Sequence, residues 1–205
     1  MSRAVGFGYY GKLPMAGDFL RGGLSVGFVD AWDIWMQRTL EQSRTARAPE
    51  AWWAAYLRAP IWRFSVAPGL LGPRGAVGIV MPSHDRVGRA FPFCVACETD
   101  LPPLAANLAA QPVVERLERA VLSMTVPDAS LMAFKDHLAQ LPGLADVPPG
   151  LGQGGGSIWV TASPDVARLM CVPELPAGPA QTAALFDAQA PYWQPPQPTR
   201  PEYFA

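Results

Sequence analysis

Apolar residues recur along this 205-residue chain with two different periods, and the change of period marks the elements. Phe28, Trp32, Trp35, Met36, Leu40 and Ser43 fall along one stripe at helical spacing. Asp30 and Asp33 lie near the start of that helix and Arg44 and Arg47 near its end, which suits the helix dipole. Pro49 opens a second helix over Glu50–Arg58, and Pro60 stops it. The pattern then shortens. Ile61–Ala67 alternates, Gly75–Met81 is nearly all apolar, and Phe91–Glu98 is β-prone, so these three segments read as an antiparallel meander. Ala4–Tyr10 reads as an earlier strand, followed by a structured loop over Gly11–Gly27. Helical spacing returns over Val113–Thr125, with Val114, Leu117, Val121 and Met124 on one face, and over Asp128–Leu141, with Asp128 as its cap. Pro142–Gly156 is a connector, Ser157–Ala162 and Leu169–Val172 are strand segments, and Thr182–Ala190 is a short helix. The order β–α–α–β–β–β–α–α–β predicts one central sheet with helices packed on it. The expected organisation is a single domain over residues 1–190 and a Pro-rich tail over 191–205.

Composition narrows this picture. Half of the residues are hydrophobic and 16% are charged, which excludes disorder over most of the chain. The 23 Pro and 19 Gly exclude a bundle of long helices and require many short elements. A net charge of −1 argues against a nucleic-acid binder, which needs excess positive charge to displace phosphate counterions. Residues 1–100 hold 11 basic and 8 acidic groups, the remainder 5 and 9, a mild polarity rather than a basic tail. Lys12 and Pro14 interrupt the first apolar run before it reaches the length of a secretory leader, and no stretch approaches a membrane span. Three cysteines at low density make no disulfide framework, so a cytoplasmic protein with reduced thiols is expected.

Several motifs invite a chemical reading. Gly6-Phe7-Gly8-Tyr9-Tyr10-Gly11 spells the glycine pattern of a dinucleotide loop, and Lys12 extends it toward a phosphate loop. Both need a helix to begin there, so that its first amides meet phosphate. Pro14 and Gly17 follow instead, and Leu13 stands where a metal-binding hydroxyl is needed. Cys94-Val95-Ala96-Cys97 lies within a strand segment, where an offset of three sends the two thiols to opposite faces. These are read as buried structural cysteines, with no metal or cofactor. Ser83-His84-Asp85 contains hydrolase residue types, but triad members meet from separate segments. Asp85-Arg86-Val87-Gly88-Arg89 concentrates charge in an apolar chain. It is either a solvated hairpin loop or one that bridges, through Arg86 or Arg89, to Asp18 of the first loop. Trp52 and Trp53 are neighbours on one helix, so one of them is a candidate for an exposed apolar patch.

Gly8-Tyr9-Tyr10-Gly11-Lys12-Leu13-Pro14 followed by Gly17-Asp18-Phe19 resembles the opening signature of the TagF (ImpM) family of type VI secretion accessory proteins. So do Trp32-Asp33-x-Trp35, Ala59–Phe64, and Pro82-Ser83-x-Asp85-Arg86-Val87-Gly88-Arg89 with Phe91-Pro92. Gly156-Ser157-Ile158-Trp159 is similar to a later block. Met15-Ala16 departs from the family's small residue and Arg, and the chain has no room for the phosphatase domain fused to some members. The resemblance implies an α/β/α sandwich, similar to longin-type domains, with a mostly antiparallel central sheet. It implies no enzymatic activity and no cofactor. It further implies a cytoplasmic repressor of secretion-machine assembly that binds a forkhead-associated-domain scaffold protein. The candidate protein-binding residues are Lys12, Leu13, Pro14, Asp18, Phe19, Asp85, Arg86 and Arg89. The alternatives are a nucleotide or phosphate binder using the Gly6–Lys12 loop and a structural subunit of the apparatus.

Overall fold

Alternation of side chains across each strand builds two hydrophobic cores, one on each face of a single sheet. The computed structural model describes residues 6–45, 47–126, 128–162 and 167–194. Its strands are β1 (Gly8–Gly11), β2 (Leu20–Gly22), β3 (Trp62–Val66), β4 (Gly75–Met81), β5 (Phe93–Thr99), β6 (Ser157–Ala162) and β7 (Ala167–Val172). Its helices are α1 (Val26–Arg44), α2 (Pro49–Leu57), α3 (Pro103–Leu122), α4 (Leu131–Ala139) and α5 (Gly178–Phe186). The sheet has the order β2-β1-β5-β4-β3-β6-β7, and every neighbouring pair is antiparallel.

On one face Trp62, Phe64 and Val66 of β3, Val80 of β4 and Cys94 and Ala96 of β5 meet Phe28, Trp32 and Met36 of α1, Tyr56 of α2 and Leu185 of α5. On the other, Ile79 of β4 and Phe93, Val95 and Cys97 of β5 meet Val113, Leu117 and Val121 of α3 and Phe134 of α4. This is the expected α/β sandwich, and β3–β4–β5 is the expected meander. Cys94 and Cys97 are both buried, on opposite faces. Gly78 lies at the crowded centre of the sheet, where an added Cβ would stand 2.1 Å from the Val95 carbonyl oxygen.

The boundaries differ from expectation in instructive places. Ala4 and Val5 of the first strand segment lie outside the described residues, and β1 runs to Gly11. The loop expected over Gly11–Gly27 contains β2, which takes the edge beside β1. Helix α3 begins at Pro103, ten residues before the expected Val113, and carries Pro112 inside it. Pro112 sits on the exposed side, while Ala105, Ala106, Ala109 and Ala110 are buried against the sheet layer. Their burial outweighs the hydrogen bond that proline removes. Helix α4 is capped by Ser130, whose hydroxyl accepts the Ala133 amide at 3.2 Å, in place of Asp128. Helix α5 starts at Gly178, four residues before the expected Thr182, and stops at Phe186. A 3₁₀ turn over Pro191–Trp193 follows. Trp193 stacks on Trp62 at 5.7 Å and donates its indole N–H to the Ala184 carbonyl, so the start of the Pro-rich segment is packed onto the domain. The tail beyond residue 194 lies outside the described residues.

Trp52 is buried and donates its indole N–H to the Ser43 hydroxyl at 2.9 Å. Trp53 is half-buried against the rings of Tyr56 and His84. Neither tryptophan is fully exposed: part of the Trp53 surface lies against His84 of the loop that carries Ser83-His84-Asp85.

Candidate functional site

At one end of the sheet the chain leaves β1 through Lys12–Phe19, and β4 passes to β5 through Pro82–Pro92. Glycine lets these two loops touch. Gly11 has φ +139, and a Cβ there would lie 2.2 Å from the Pro92 carbonyl oxygen. Gly17 lies under the Arg86 guanidinium, 3.2 Å from where its own Cβ would stand. The Arg86 amide donates to the Ala16 carbonyl at 2.9 Å, which stitches the loops backbone to backbone.

Asp85 is the knot. Its side chain is 0% exposed. Oδ1 accepts the amides of Val87 at 3.1 Å and Arg89 at 2.9 Å. Oδ2 accepts the Lys12 ammonium at 3.0 Å and the Arg89 Nε–H at 2.6 Å. Burial alone would push this carboxyl up. The Arg89 amide and the Lys12 and Arg89 cations outweigh burial and hold it well below the usual carboxylate range. The far side of the Arg89 fork donates to the Gly17 carbonyl at 3.0 Å. Lys12 also lies over the Phe19 ring, 4.9 Å from its centroid, and Phe19 stacks on Tyr10 at 5.3 Å. One buried carboxylate thus orients a lysine, an arginine and two loop backbones.

The helices of one layer brace this knot. Tyr56 of α2 donates its hydroxyl to the Ser83 carbonyl at 2.6 Å and accepts the Ser83 amide at 3.0 Å. Burial raises the Tyr56 phenol pKa, with the Ser83 contact opposing, so the hydroxyl keeps its proton as a donor. Tyr10 of β1 donates to Asp33 of α1 at 2.7 Å, and burial followed by that carboxylate raises its pKa as well.

The residues singled out from sequence separate into two groups. Lys12, Leu13 and Asp85 are buried, and Phe19 is half-buried. Pro14, Asp18, Arg86 and Arg89 are exposed. The loops are bridged as one of the two sequence readings expected, but Asp18 is not the bridging carboxylate. It faces solvent and accepts the amide of its neighbour Phe19 at 2.8 Å. The bridge runs from Asp85 to Lys12, because Asp85 is the acid with four donors around it in a place closed to water. Sequence reasoning missed Tyr56 and the Tyr10–Asp33 bond. Tyr56 carried a faint signal, lying four residues after Trp52 on the same helical face.

The glycine-rich segment does not form a phosphate loop. Gly8–Gly11 is strand, the residues after it turn toward β2 rather than into a helix, and the Lys12 ammonium is held by Asp85. Ser83, His84 and Asp85 do not form a relay, since His84 Nδ1 contacts the Asp85 backbone carbonyl. Among the described residues, no group of three or more His, Cys, Asp or Glu side chains is placed to hold a metal ion. No helix of the described residues is long and apolar enough to cross a membrane.

An antiparallel sheet layered by helices on both faces, closed at one end by a locked pair of loops, defines an α/β sandwich domain. The sequence of residues 8–141 matches the TagF N-terminal domain family, associated with type VI secretion, and the chain belongs to that family. It is similar to a solved protein, PA0076 from Pseudomonas aeruginosa PAO1, with 34% identity and a TM-score of 0.75 over 90% of this chain and 95% of that one. Comparison with curated proteins returned no match.

Proposed function

We propose that this accessory protein of type VI secretion acts without catalysis, as a cytoplasmic repressor that binds a forkhead-associated-domain scaffold protein of the apparatus through its locked loop pair. One observation carries the reading: a buried carboxylate is used to fix an exposed surface. Asp85 is fully buried, whereas the Arg89 side chain it holds is 62% exposed, and Arg86, Val87 and Met15 stand exposed beside it. A preset surface of arginine and apolar groups fits protein recognition, because less side-chain freedom is lost on binding. The nucleotide-binding alternative loses its physical support here, since Lys12 is engaged and β2, not a helix, is the element that follows Gly11.

The test is co-purification of the chain with the forkhead-associated-domain protein of the same organism, for the wild type and for Arg86→Glu. Association at micromolar concentration that Arg86→Glu abolishes supports the loop surface. Association untouched by that change moves the contact elsewhere, and no association removes the partner. Deleting the gene separates repressor from structural subunit: secretion rises for a repressor and stops for a subunit.

A further inference from the structure

We propose a second binding site, in the groove between α3 and α4, for an oxyanion: the carboxylate or phosphate group of a small acidic ligand. The groove is open and about 350 Å³ in volume, and is lined by Arg116 and Arg119 of α3 with His137, Gln140 and Leu141 at the end of α4. Arg116 and Arg119 are three residues apart and project from one side of their helix. His137 and Gln140 are also three apart and close the opposite wall. All four side chains are exposed, and Leu141 is half-buried between them.

The acid between the two arginines in sequence is engaged elsewhere: Glu118 is taken by Arg63 of β3 at 2.7 Å. Arg119 Nε–H donates to the backbone carbonyl of Glu115 at 3.3 Å, not to a carboxylate, which leaves its terminal nitrogens for the groove. None of the ion pairs among the described residues includes Arg116, Arg119 or His137. In a protein of net charge −1, two guanidiniums on one groove with an imidazole and an amide opposite form a concentrated set of donors. Guanidinium forks match the paired oxygens of carboxylate and phosphate, and charge-assisted bonds of this kind are the strong ones. The groove shares no residue with the locked loops, so it stands or falls separately from the function proposed above.

The test is a titration of the ¹⁵N-labelled full chain, in one series with sodium phosphate and in another with sodium succinate, at constant ionic strength set by sodium chloride. Saturable shifts centred on Arg116, Arg119 and His137 are expected in at least one series. Saturation with phosphate alone assigns a phosphoryl ligand, and saturation with succinate alone a carboxylate. Arg116→Gln with Arg119→Gln should weaken that binding at least about tenfold, since each removes a charge-assisted bond. Lys135→Gln, a charge change elsewhere on α4, should leave it within about twofold, because an exposed charge outside the groove acts only through a screened field. His137→Gln gives an independent reading from the opposite wall and should weaken binding too. Linear, unsaturated shifts with both anions overturn the proposal, as does saturable binding that the arginine changes do not weaken.

Discussion

Removing one hydroxyl from α2 tests the bracing of the loop pair. Tyr56→Phe keeps the buried ring and its stack on Trp52 at 5.0 Å, so packing changes little. Two hydrogen bonds to Ser83 disappear. Their partners fare differently. The Ser83 carbonyl retains the Phe91 amide at 3.0 Å, so its loss is one net hydrogen bond, about 0.5–1.5 kcal/mol. The Ser83 amide has no second partner, and Ser83 is only 5% exposed. Stranding a buried donor costs about 1–3 kcal/mol. The expected destabilisation is therefore about 1.5–4.5 kcal/mol, read from urea unfolding with an unchanged slope. Hydrogen exchange localises it: the Ser83 amide should be protected in the wild type and exchange faster in Tyr56→Phe by more than global destabilisation explains. A loss below about 0.5 kcal/mol, with Ser83 still protected, would refute the reasoning, because the amide would then have found another acceptor.

Asp85 sets the response to acid. Its folded pKa lies below the unfolded value of 3.8, so its contribution is complete above that value and is lost as pH falls from there through the folded one. Asp85→Asn should be less stable at neutral pH and should flatten the fall in stability below about pH 4, as measured by urea midpoints across pH. Asp18→Ala should change stability by less than about 0.5 kcal/mol, since the carboxylate is exposed and bonds only its neighbour's amide; a larger loss in thermal unfolding would reinstate it as a loop anchor. A thiol reagent at pH 8 should label Cys171 on β7 rapidly and Cys94 and Cys97 only on unfolding. Cys171 is exposed, burial raises the Cys94 thiol pKa, and burial, against the pull of Arg74, leaves Cys97 pushed up to about 11. Fast labelling of all three in the native state would contradict the buried placement.

Strong periodicity and turn chemistry made most of the fold legible. The stripe from Phe28 to Ser43 became α1, and the alternation of Ile61–Ala67 became β3, because each pattern has one burial solution. The first half of α3 was hidden. Pro112 reads as a stop and the exposed Leu104 and Leu108 blur the stripe, although the alanines before it are strong helix formers buried at helical spacing. Strand β2 was hidden for another reason: Leu20–Gly22 is three residues long, and its pairing with β1 carries it. At the site, the charged cluster Asp85–Arg89 stood out from composition, but its wiring did not. Asp18 and Asp85 are the same residue type in equally marked loops. Which one is desolvated depends on how closely the loops approach, and that rests on Gly11 and Gly17 meeting atoms far away in sequence.

The wiring also separates the residues in and around the loop pair into two kinds. Lys12, Asp85 and Tyr56 act inward: each satisfies a buried group, so its loss lowers stability and disturbs binding only through the loops it holds. Arg86, Val87, Met15 and Asp18 act outward. They are exposed, and none is a member of an ion pair among the described residues. Arg89 belongs to both kinds, with Nε on Asp85 and much of its fork in solvent. A whole buried ion pair can be replaced by apolar packing at little cost, but removing the Asp85 carboxylate alone would strand the Lys12 ammonium and two backbone amides. The exposed Arg89 depends on it as well, since the buried acid beneath it supplies charge and direction, with the Gly17 carbonyl as a second anchor. The buried polar knot is therefore best understood by what it does to the surface above it. With the Arg86 amide on the Ala16 carbonyl, it ties the two loops together beneath the exposed Arg89 side chain.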